Sequence, residues 1–462
     1  MTLIKSISGI RGTIGGKTTE GLNPHDIVSF VSAFAKMRAQ QYNDDVKMKF
    51  IVGRDARISG AMVSGLVNST LLSMGVDVID VGLSTTPTVE MEVIHHKAQG
   101  GIIITASHNP KEWNALKFLN EKGEFINDKE GKIVLDIIEN NDIVFKNIDN
   151  IGCIQKDYDS IKRHVEYIQD LDLVDVDAVS RRDFKVVIDA VNSTGGIAIP
   201  ELFNMLGVDD FIGLYIKPTG EFPHNPEPLP ENITALSQAV VDNKADIGFV
   251  VDPDVDRLAV VDENGKVWGE EYTLVAVADY ILQNTKGSTV SNLSSSMALK
   301  DITEKYGQSY SSAAVGEVNV VDQMKKTNAV IGGEGNGGVI YPELHHGRDA
   351  LVGIALILTY LAKSGKSASE LRASYPDYTI TKNKLALNDD VDIDNLLSKI
   401  KEEYSDFEII DIDGVKIIFD EGWVHLRKSN TEPIIRVYSE SKSKDAANSL
   451  AEKVISQAKR YL

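Results

Sequence analysis

The feature that most constrains this chain is a rhythm of short, β-branched apolar runs that each stop at a polar loop. "KMKFIVGRD" (47–55), "VDVIDVG" (76–82) and "GGIIITASHNP" (100–110) are the first three. Runs of this length, flanked by Gly, Asp and Pro, predict buried strands. Helical stretches separate or follow them, "SGAMVSGLVNSTLLSMG" (59–75) and "TPTVEMEVIHHK" (86–97). Strand, helix, strand is the pattern of an α/β unit. It restarts with "FKVVIDAVNSTGG" (184–196), a strand into a glycine-rich turn, then a helical "IPELFNMLG" (199–207) and "ADIGFVVDPDVDR" (245–257), a strand into an acidic loop. It returns in "TVSNLSSS" (289–296) and "NAVIGGEGNGG" (328–338), before an apolar helix at 349–365. From 407 to 440 the chain reads as several strands joined by turns, and 444–462 as an amphipathic helix.

The expected fold class is therefore α/β, with three related mixed units and a smaller C-terminal sheet-and-helix domain. Boundaries fall near 154, 262 and 370, dividing the 462 residues into 1–154, 155–262, 263–370 and 371–462. A net charge of -20 argues against nucleic acid and anionic membrane as partners, because a polyphosphate surface needs a basic footprint. A few local Arg and Lys still suffice for a small anion. No apolar stretch approaches the roughly 18 residues of a membrane span, and the N-terminal residues lack a signal-peptide core. A cytoplasmic protein is expected. Cys153 is the only cysteine, which rules out an intrachain disulfide and a CxxC metal pair.

Two loops carry the chemistry. "DPDVDR" holds Asp252, Asp254 and Asp256. In an extended segment these alternate residues share one face. Three converging carboxylates raise one another's pKa or demand a cation, and oxygen donors without Cys or His suit a hard ion such as Mg²⁺. The same residues also read as a solvated acidic turn. Arg257 stands where an EF-hand loop needs its glycine, and it could orient a phosphate or pair with Asp256. In "ITASHNP", Ser107 sits at the C-terminal end of a strand, where ligands of α/β units bind. It could cap a helix. Acyl chemistry fits poorly, since no G-x-S-x-G elbow is present and His108 is merely the next residue. A phosphoserine fits better. Its negative charge would be repelled by the acidic triplet unless a divalent cation lay between them, and that pairing makes a phosphoryl donor. Lys117 could shuttle a proton, provided nearby positive charge lowers its pKa from about 10.4. Arg11, in "SGIRGTIGG", could supply that charge. Surface roles are the alternative for both.

Two further loops fit a phosphorylated sugar. "GGEGNGGV" (332–339) presents Glu334 and Asn336 on bare backbone, lacks the Lys and Ser of a P-loop, and suits hydroxyls or an amino group. A plain hairpin is the alternative. "RKSNTEP" (427–433) offers Arg427, Ser429, Asn430 and Thr431, with Arg436 in the following strand. That set makes a phosphate cradle or an ordinary polar turn.

Together, "SGIRGTIGG", "TASHNP" with Lys117, "DPDVDR", "GEGNGG" and "RKSNTEP" resemble, in order and over essentially the whole chain, the α-D-phosphohexomutase family of phosphoglucomutases, phosphomannomutases and phosphoglucosamine mutases. The resemblance implies four domains around a central cleft. It implies a phosphorylated Ser107, with Asp252, Asp254 and Asp256 holding Mg²⁺ together with a phosphoserine oxygen. Arg11, Lys117 and His108 would serve the transfer. Arg257, Glu317, Glu334 and Asn336 would face the sugar, and Arg427, Ser429, Asn430, Thr431 and Arg436 its existing phosphate. A hexose phosphate is the implied substrate, a hexose 1,6-bisphosphate the priming activator, and the assembly a monomer or homodimer. "GEGNGG" with "VGEVN" looks like the archaeal-type phosphoglucosamine or phosphomannose mutases. Glu317 and Glu334, as potential ammonium partners, turn the expectation towards glucosamine phosphate. Glucose or mannose phosphate, a phosphatase with the same centre, and a non-catalytic sugar-phosphate-binding regulator are the alternatives.

Overall fold

The computed structural model describes residues 2–6, 9–18, 20–43, 46–387, 391–428 and 434–462. The first sheet has seven strands: Leu3–Ser6 (β1), Gly9–Thr13 (β2), Lys49–Arg54 (β3), Asp77–Leu83 (β4), Gly100–Ile104 (β5), Trp113–Leu119 (β6) and Ile154–Lys156 (β7), in the order β1-β2-β6-β5-β3-β4-β7. β3, β4, β5 and β7 run parallel, whereas β6 is antiparallel to β5 and β2. Successive side chains leave opposite faces of the sheet. Phe50 and Val52 pack with Phe34, Val67 and Val134 on one side. Ile51 packs with Val89 and Val93 on the other. Helices Pro24–Ala39, Gly60–Ser73 and Asp128–Glu139 cover the first face and Thr86–His95 the second.

Lys185–Asp189 (β8), Asp210–Leu214 (β9), Ile247–Val251 (β10) and Leu258–Asp262 (β11) form a second sheet, ordered β11-β10-β8-β9. Thr289–Asn292 (β12), Tyr310–Ala313 (β13), Ile331–Glu334 (β14) and Gly338–Ile340 (β15) form a third, ordered β13-β12-β14-β15. One hydrophobic cluster runs through both, from Ile161 to Tyr375. Its centre is helix Ala350–Ser364, buried on every side from Ala350 to Leu361, as an all-round apolar helix must be. The expected boundary near 262 therefore crosses a continuous core. Gly195 and Gly196, expected to form a turn, open helix Gly195–Leu206.

Thr379–Ala386 (β16), Glu408–Ile410 (β17), Val415–Phe419 (β18), Gly422–Lys428 (β19) and Ile434–Ser441 (β20) form an antiparallel sheet, ordered β16-β20-β19-β18-β17. Helix Lys444–Ala458 buries Ala447, Leu450, Ala451 and Val454 against it, the i, i+3, i+4, i+7 stripe its sequence predicts. All four units contribute to one cleft of about 960 Å³, whose wall includes Arg11, Arg257, Glu334 and Arg436.

Candidate active site

The serine loop connects β5 to β6. No helix follows Ser107, so the capping alternative falls away. Ser107 lies in the left-handed region at φ +48°, a conformation that costs a non-glycine residue about 1–3 kcal/mol and persists only where its surroundings hold it. Arg57 provides the hold. Its buried guanidinium donates to the backbone carbonyls of Ser107 (2.5 Å), Asn109 (2.6 Å), Pro110 (2.7 Å) and Trp113 (3.0 Å). Asp55 accepts from Arg57 Nε at 3.0 Å and from Thr105 Oγ1 at 2.7 Å, and Thr105 Oγ1 accepts from Ser107 N at 2.9 Å. Sequence reasoning missed this clamp. Its signal was "GRDAR" at the end of β3, a strand that neighbours β5. Arg57→Ala is expected to strand the Asp55 carboxylate in the interior, at a cost of about 3–5 kcal/mol. Thermal unfolding is the check, and an unchanged Tm would dismiss the clamp.

The acidic loop joins β10 to β11, and its geometry differs from the expected extended segment. Residues 252–256 form a tight turn with Val255 at φ +62°. The carboxylates meet because the chain curls around them. Asp252, Asp254 and Asp256 are each fully buried, and an oxygen of each lies within 4.8 Å of the others. Asp252 Oδ1 accepts from the backbone N–H of Asp256 and Arg257, both at 3.2 Å. Asp254 Oδ2 accepts from Thr86 Oγ1 at 2.6 Å and from Lys117 Nζ at 2.8 Å. Asp256 Oδ2 accepts from Arg348 Nη2 at 2.7 Å. Oδ1 of Asp254 and Oδ1 of Asp256 are buried with no hydrogen-bond partner. Orphaned anionic oxygens beside a third carboxylate fit a hard divalent cation. Burial, then Asp256 and Asp254, push the Asp252 carboxyl well above its usual range, the strain that a cation relieves.

The two loops face each other. Ser107 Oγ donates to Asp252 Oδ2 at 2.8 Å. The junction is pinned from both sides: Thr86 N donates to Asp254 O at 2.9 Å, and Ser193 Oγ and Thr194 Oγ1 donate to Pro253 O at 2.6 and 2.9 Å. From the third unit, Ala350 N donates to Val255 O at 3.2 Å. Lys117 arrives as well, but in a different electrostatic state from the one expected. Burial opposes its charge, yet Asp254 and Asp256 outweigh burial and hold the ammonium above its ordinary pKa. The positive charge acting against this is Arg348, not Arg11. Arg11 lines the cleft, its pKa lowered by burial and by Arg436. His108 Nδ1 lies 3.3 Å from Ser107 Oγ, and burial followed by Arg257 lowers its pKa to about 2, so the ring is neutral.

The glycine-rich loop is the β14–β15 hairpin and also lines the cleft, through Glu334, Gly335 and Asn336. Glu334 is already engaged. It accepts from Arg348 Nη1 at 3.0 Å, Asn292 Nδ2 at 2.9 Å and Gly316 N at 3.2 Å. Burial opposes its ionisation most strongly, but Arg348, the Asn292 and Gly316 hydrogen bonds and Arg257 together outweigh burial and lower its pKa. Glu317 is displaced from its expected place. Its carboxylate accepts from Arg348 Nε at 2.8 Å, and it lines a separate small cavity with Asn120 and Phe125. Arg257 reaches the cleft and contacts Glu227 at 3.4 Å. At the far end Arg427 and Arg436 stand directly opposite each other on β19 and β20. Like charges so paired repel and invite an anion. Ser429, Asn430 and Thr431 lie outside the described residues.

Comparison with known proteins agrees with this architecture. Residues 3–144, 162–265, 269–378 and 382–457 match, respectively, the phosphoglucomutase/phosphomannomutase alpha/beta/alpha domains I, II and III and the C-terminal domain. A "Phosphoglucomutase/phosphomannomutase" from Thermococcus kodakarensis is 37% identical over 447 residues, 96% of each chain. The chain belongs to the α-D-phosphohexomutase superfamily. As a phosphohexomutase it performs isomerase chemistry on sugar phosphates. A "Phosphoglucosamine/phosphogalactosamine mutase" from Sulfurisphaera tokodaii is 33% identical over 414 residues, 87% of this chain and 89% of that one. Among solved structures, a phosphoglucomutase/phosphomannomutase family protein from Burkholderia thailandensis superposes with a TM-score of 0.83 at 26% identity, covering 99% and 98% of the two chains. Among the described residues of this phosphohexomutase, no helix is long and apolar enough to cross a membrane.

Proposed function

We propose that this phosphohexomutase interconverts hexose 1- and 6-phosphates through a phosphorylated Ser107. The observation that carries the reading is the 2.8 Å contact between Ser107 Oγ and Asp252, made across two units inside a buried acidic triad. Asp252, Asp254 and Asp256 would hold Mg²⁺, which withdraws charge from the transferring phosphoryl group. In the first transfer the bond from phosphorus to Ser107 Oγ breaks as one forms to the free sugar hydroxyl oxygen, and the proton that this hydroxyl loses ends on Ser107 Oγ. In the second, after the bisphosphorylated sugar has turned around in the cleft, Ser107 Oγ takes the other phosphoryl group as its bond to the sugar oxygen breaks, and the Ser107 hydroxyl proton passes to that oxygen. Lys117, kept as an ammonium by Asp254 and Asp256, supplies positive charge and a donor beside that group. A shuttle role asks for the opposite pKa direction. Arg11, Arg427 and Arg436 would grip the phosphate that does not react, so that its binding energy positions the hydroxyl at the far end. A hexose 1,6-bisphosphate would prime Ser107.

Within this class we favour the neutral sugars, glucose or mannose phosphate. Both carboxylates that could attract an ammonium, Glu317 and Glu334, are bound to Arg348 at 2.8 and 3.0 Å. Glu334, with Oε1 taken by Asn292 and Gly316 and Oε2 by Arg348, keeps a lone pair for a hydroxyl and has little room left to wrap an ammonium. Glucosamine phosphate is the second reading, supported by the similarity to the Sulfurisphaera tokodaii protein. Comparing kcat/KM for glucose, mannose and glucosamine 1-phosphates decides between them. At least a tenfold advantage for a neutral sugar is expected, about 1.4 kcal/mol. Equal or better use of the aminosugar would reverse the preference.

A further inference from the structure

Arg348 touches both halves of the proposed reaction site. It is buried at 8% exposure, and its guanidinium is spread over three carboxylates contributed by three separate segments. Nη2 donates to Asp256 Oδ2 at 2.7 Å, Nη1 to Glu334 Oε2 at 3.0 Å and Nε to Glu317 Oε2 at 2.8 Å. The backbone N–H of Arg348 adds a bond to Glu317 Oε1 at 3.2 Å. A planar fork that meets three anions in fixed directions determines their orientation, which a lysine ammonium does not. Because Asp256 Oδ2 is engaged, its partnerless Oδ1 is left for another ligand. Because Glu334 Oε2 is engaged, and Oε1 is taken by Asn292 and Gly316, that carboxylate is fixed at the cleft wall. The stem passes over Gly338, where an added Cβ would come within 2.3 Å of Arg348 Cδ. The hairpin is thus bare at the point where the arginine crosses it.

We propose that Arg348 is a positioning residue that orients the Asp256 carboxylate toward the divalent cation and the Glu334 carboxylate toward the sugar at the same time. This rests on the phosphohexomutase reading of the acidic triad and the hairpin. The two sites are then set by one rigid group, and loosening it weakens both.

The test measures Mg²⁺ binding to the whole protein by titration calorimetry, without turnover, alongside KM for the hexose phosphate. Arg348→Lys is expected to weaken Mg²⁺ binding about tenfold and to raise KM several-fold. Glu317→Gln changes a residue outside the cleft and outside the triad. It is expected to weaken Mg²⁺ binding by a smaller factor, because a neutral amide with one acceptor oxygen replaces the carboxylate that accepts from both Nε and the backbone N–H of Arg348. The double variant should bind Mg²⁺ no more weakly than Arg348→Lys alone, since interactions through one shared partner are not additive. An arginine that only stabilises the fold would lower the Tm of these variants and leave both constants unchanged, and that outcome overturns the proposal. If Arg348→Lys does not fold, Glu317→Gln with wild-type Mg²⁺ affinity overturns it equally. A wild-type protein that binds no Mg²⁺ overturns the acidic-triad reading itself, and this inference with it.

Discussion

Replacing Ser107 with alanine is expected to remove turnover by at least about 10⁴-fold, the scale on which deletion of a covalent nucleophile acts, while the fold survives. The side chain is a partly buried hydroxyl whose contacts are Asp252 and His108. The loop is held through the backbone, by Arg57, so losing Oγ leaves the clamp in place. Intact mass spectrometry of wild-type protein treated with a hexose 1,6-bisphosphate should show one added phosphate, and the variant none. Near-normal activity in Ser107→Ala would defeat the covalent mechanism. A phosphatase with the same centre would release inorganic phosphate faster than it forms isomer, and a regulator without catalysis would bind sugar phosphate and form none.

The second large effect concerns the acidic triad when divalent cations are withheld. In EDTA, Asp252→Asn should be more stable than wild type, and yet inactive when Mg²⁺ is restored. Burial and the neighbouring Asp256 and Asp254 raise the Asp252 carboxyl well above its usual range. Its unfolded value is about 3.9. The folded protein therefore binds the extra proton above that pH, and stability falls as pH rises from about 4 through the folded value. At neutral pH this penalty is in force, and an amide does not incur it. Asp254 runs the other way. Burial opposes its ionisation, but the Lys117 charge and the hydrogen bonds from Lys117 and Thr86 together outweigh burial and hold its carboxyl below the usual range. Its contribution is complete above about pH 4 and is lost only as pH falls below that. Wild type should gain about 2.7 kcal/mol from Mg²⁺ at a hundredfold excess over Kd, and Asp252→Asn far less. Thermal unfolding with and without Mg²⁺ reads both. A variant that gains as much from Mg²⁺ as wild type would remove Asp252 from the cation site.

Much of the scaffold was legible in the chain. β3, β4, β5, β8, β10, β12 and β14 lie where the apolar runs place them. The apolar helix at 350–364 and the amphipathic one at 444–458 follow from their patterns. Such elements are local: their signal is contained within ten to twenty residues. The antiparallel strands β2 and β6 were not legible. Their residues, "GIRGT" and "WNALKFL", carry no clean alternation, and it is pairing to each other and to β5 that makes them strands. Ser107 and the three aspartates stood out because strand ends in α/β units collect ligand-binding groups. The route to their convergence was misjudged, since it needs a left-handed Val255 that no spacing announces. The expectation for Glu317 failed for a related reason. The arginine that occupies it lies 31 residues further along.

By itself, then, the sequence determined which segments become strands and helices, and which short polar loops hold Ser107, the acidic oxygens and the arginines. Periodicity and residue chemistry are properties of neighbours in the chain. Only the tertiary structure decided that Ser107 meets Asp252 across 145 positions, that Lys117 is a tightly held ammonium, and that Arg348 joins Asp256 to Glu334. Charge interactions depend on distance and burial, and both are set by how the four sheets pack around the cleft.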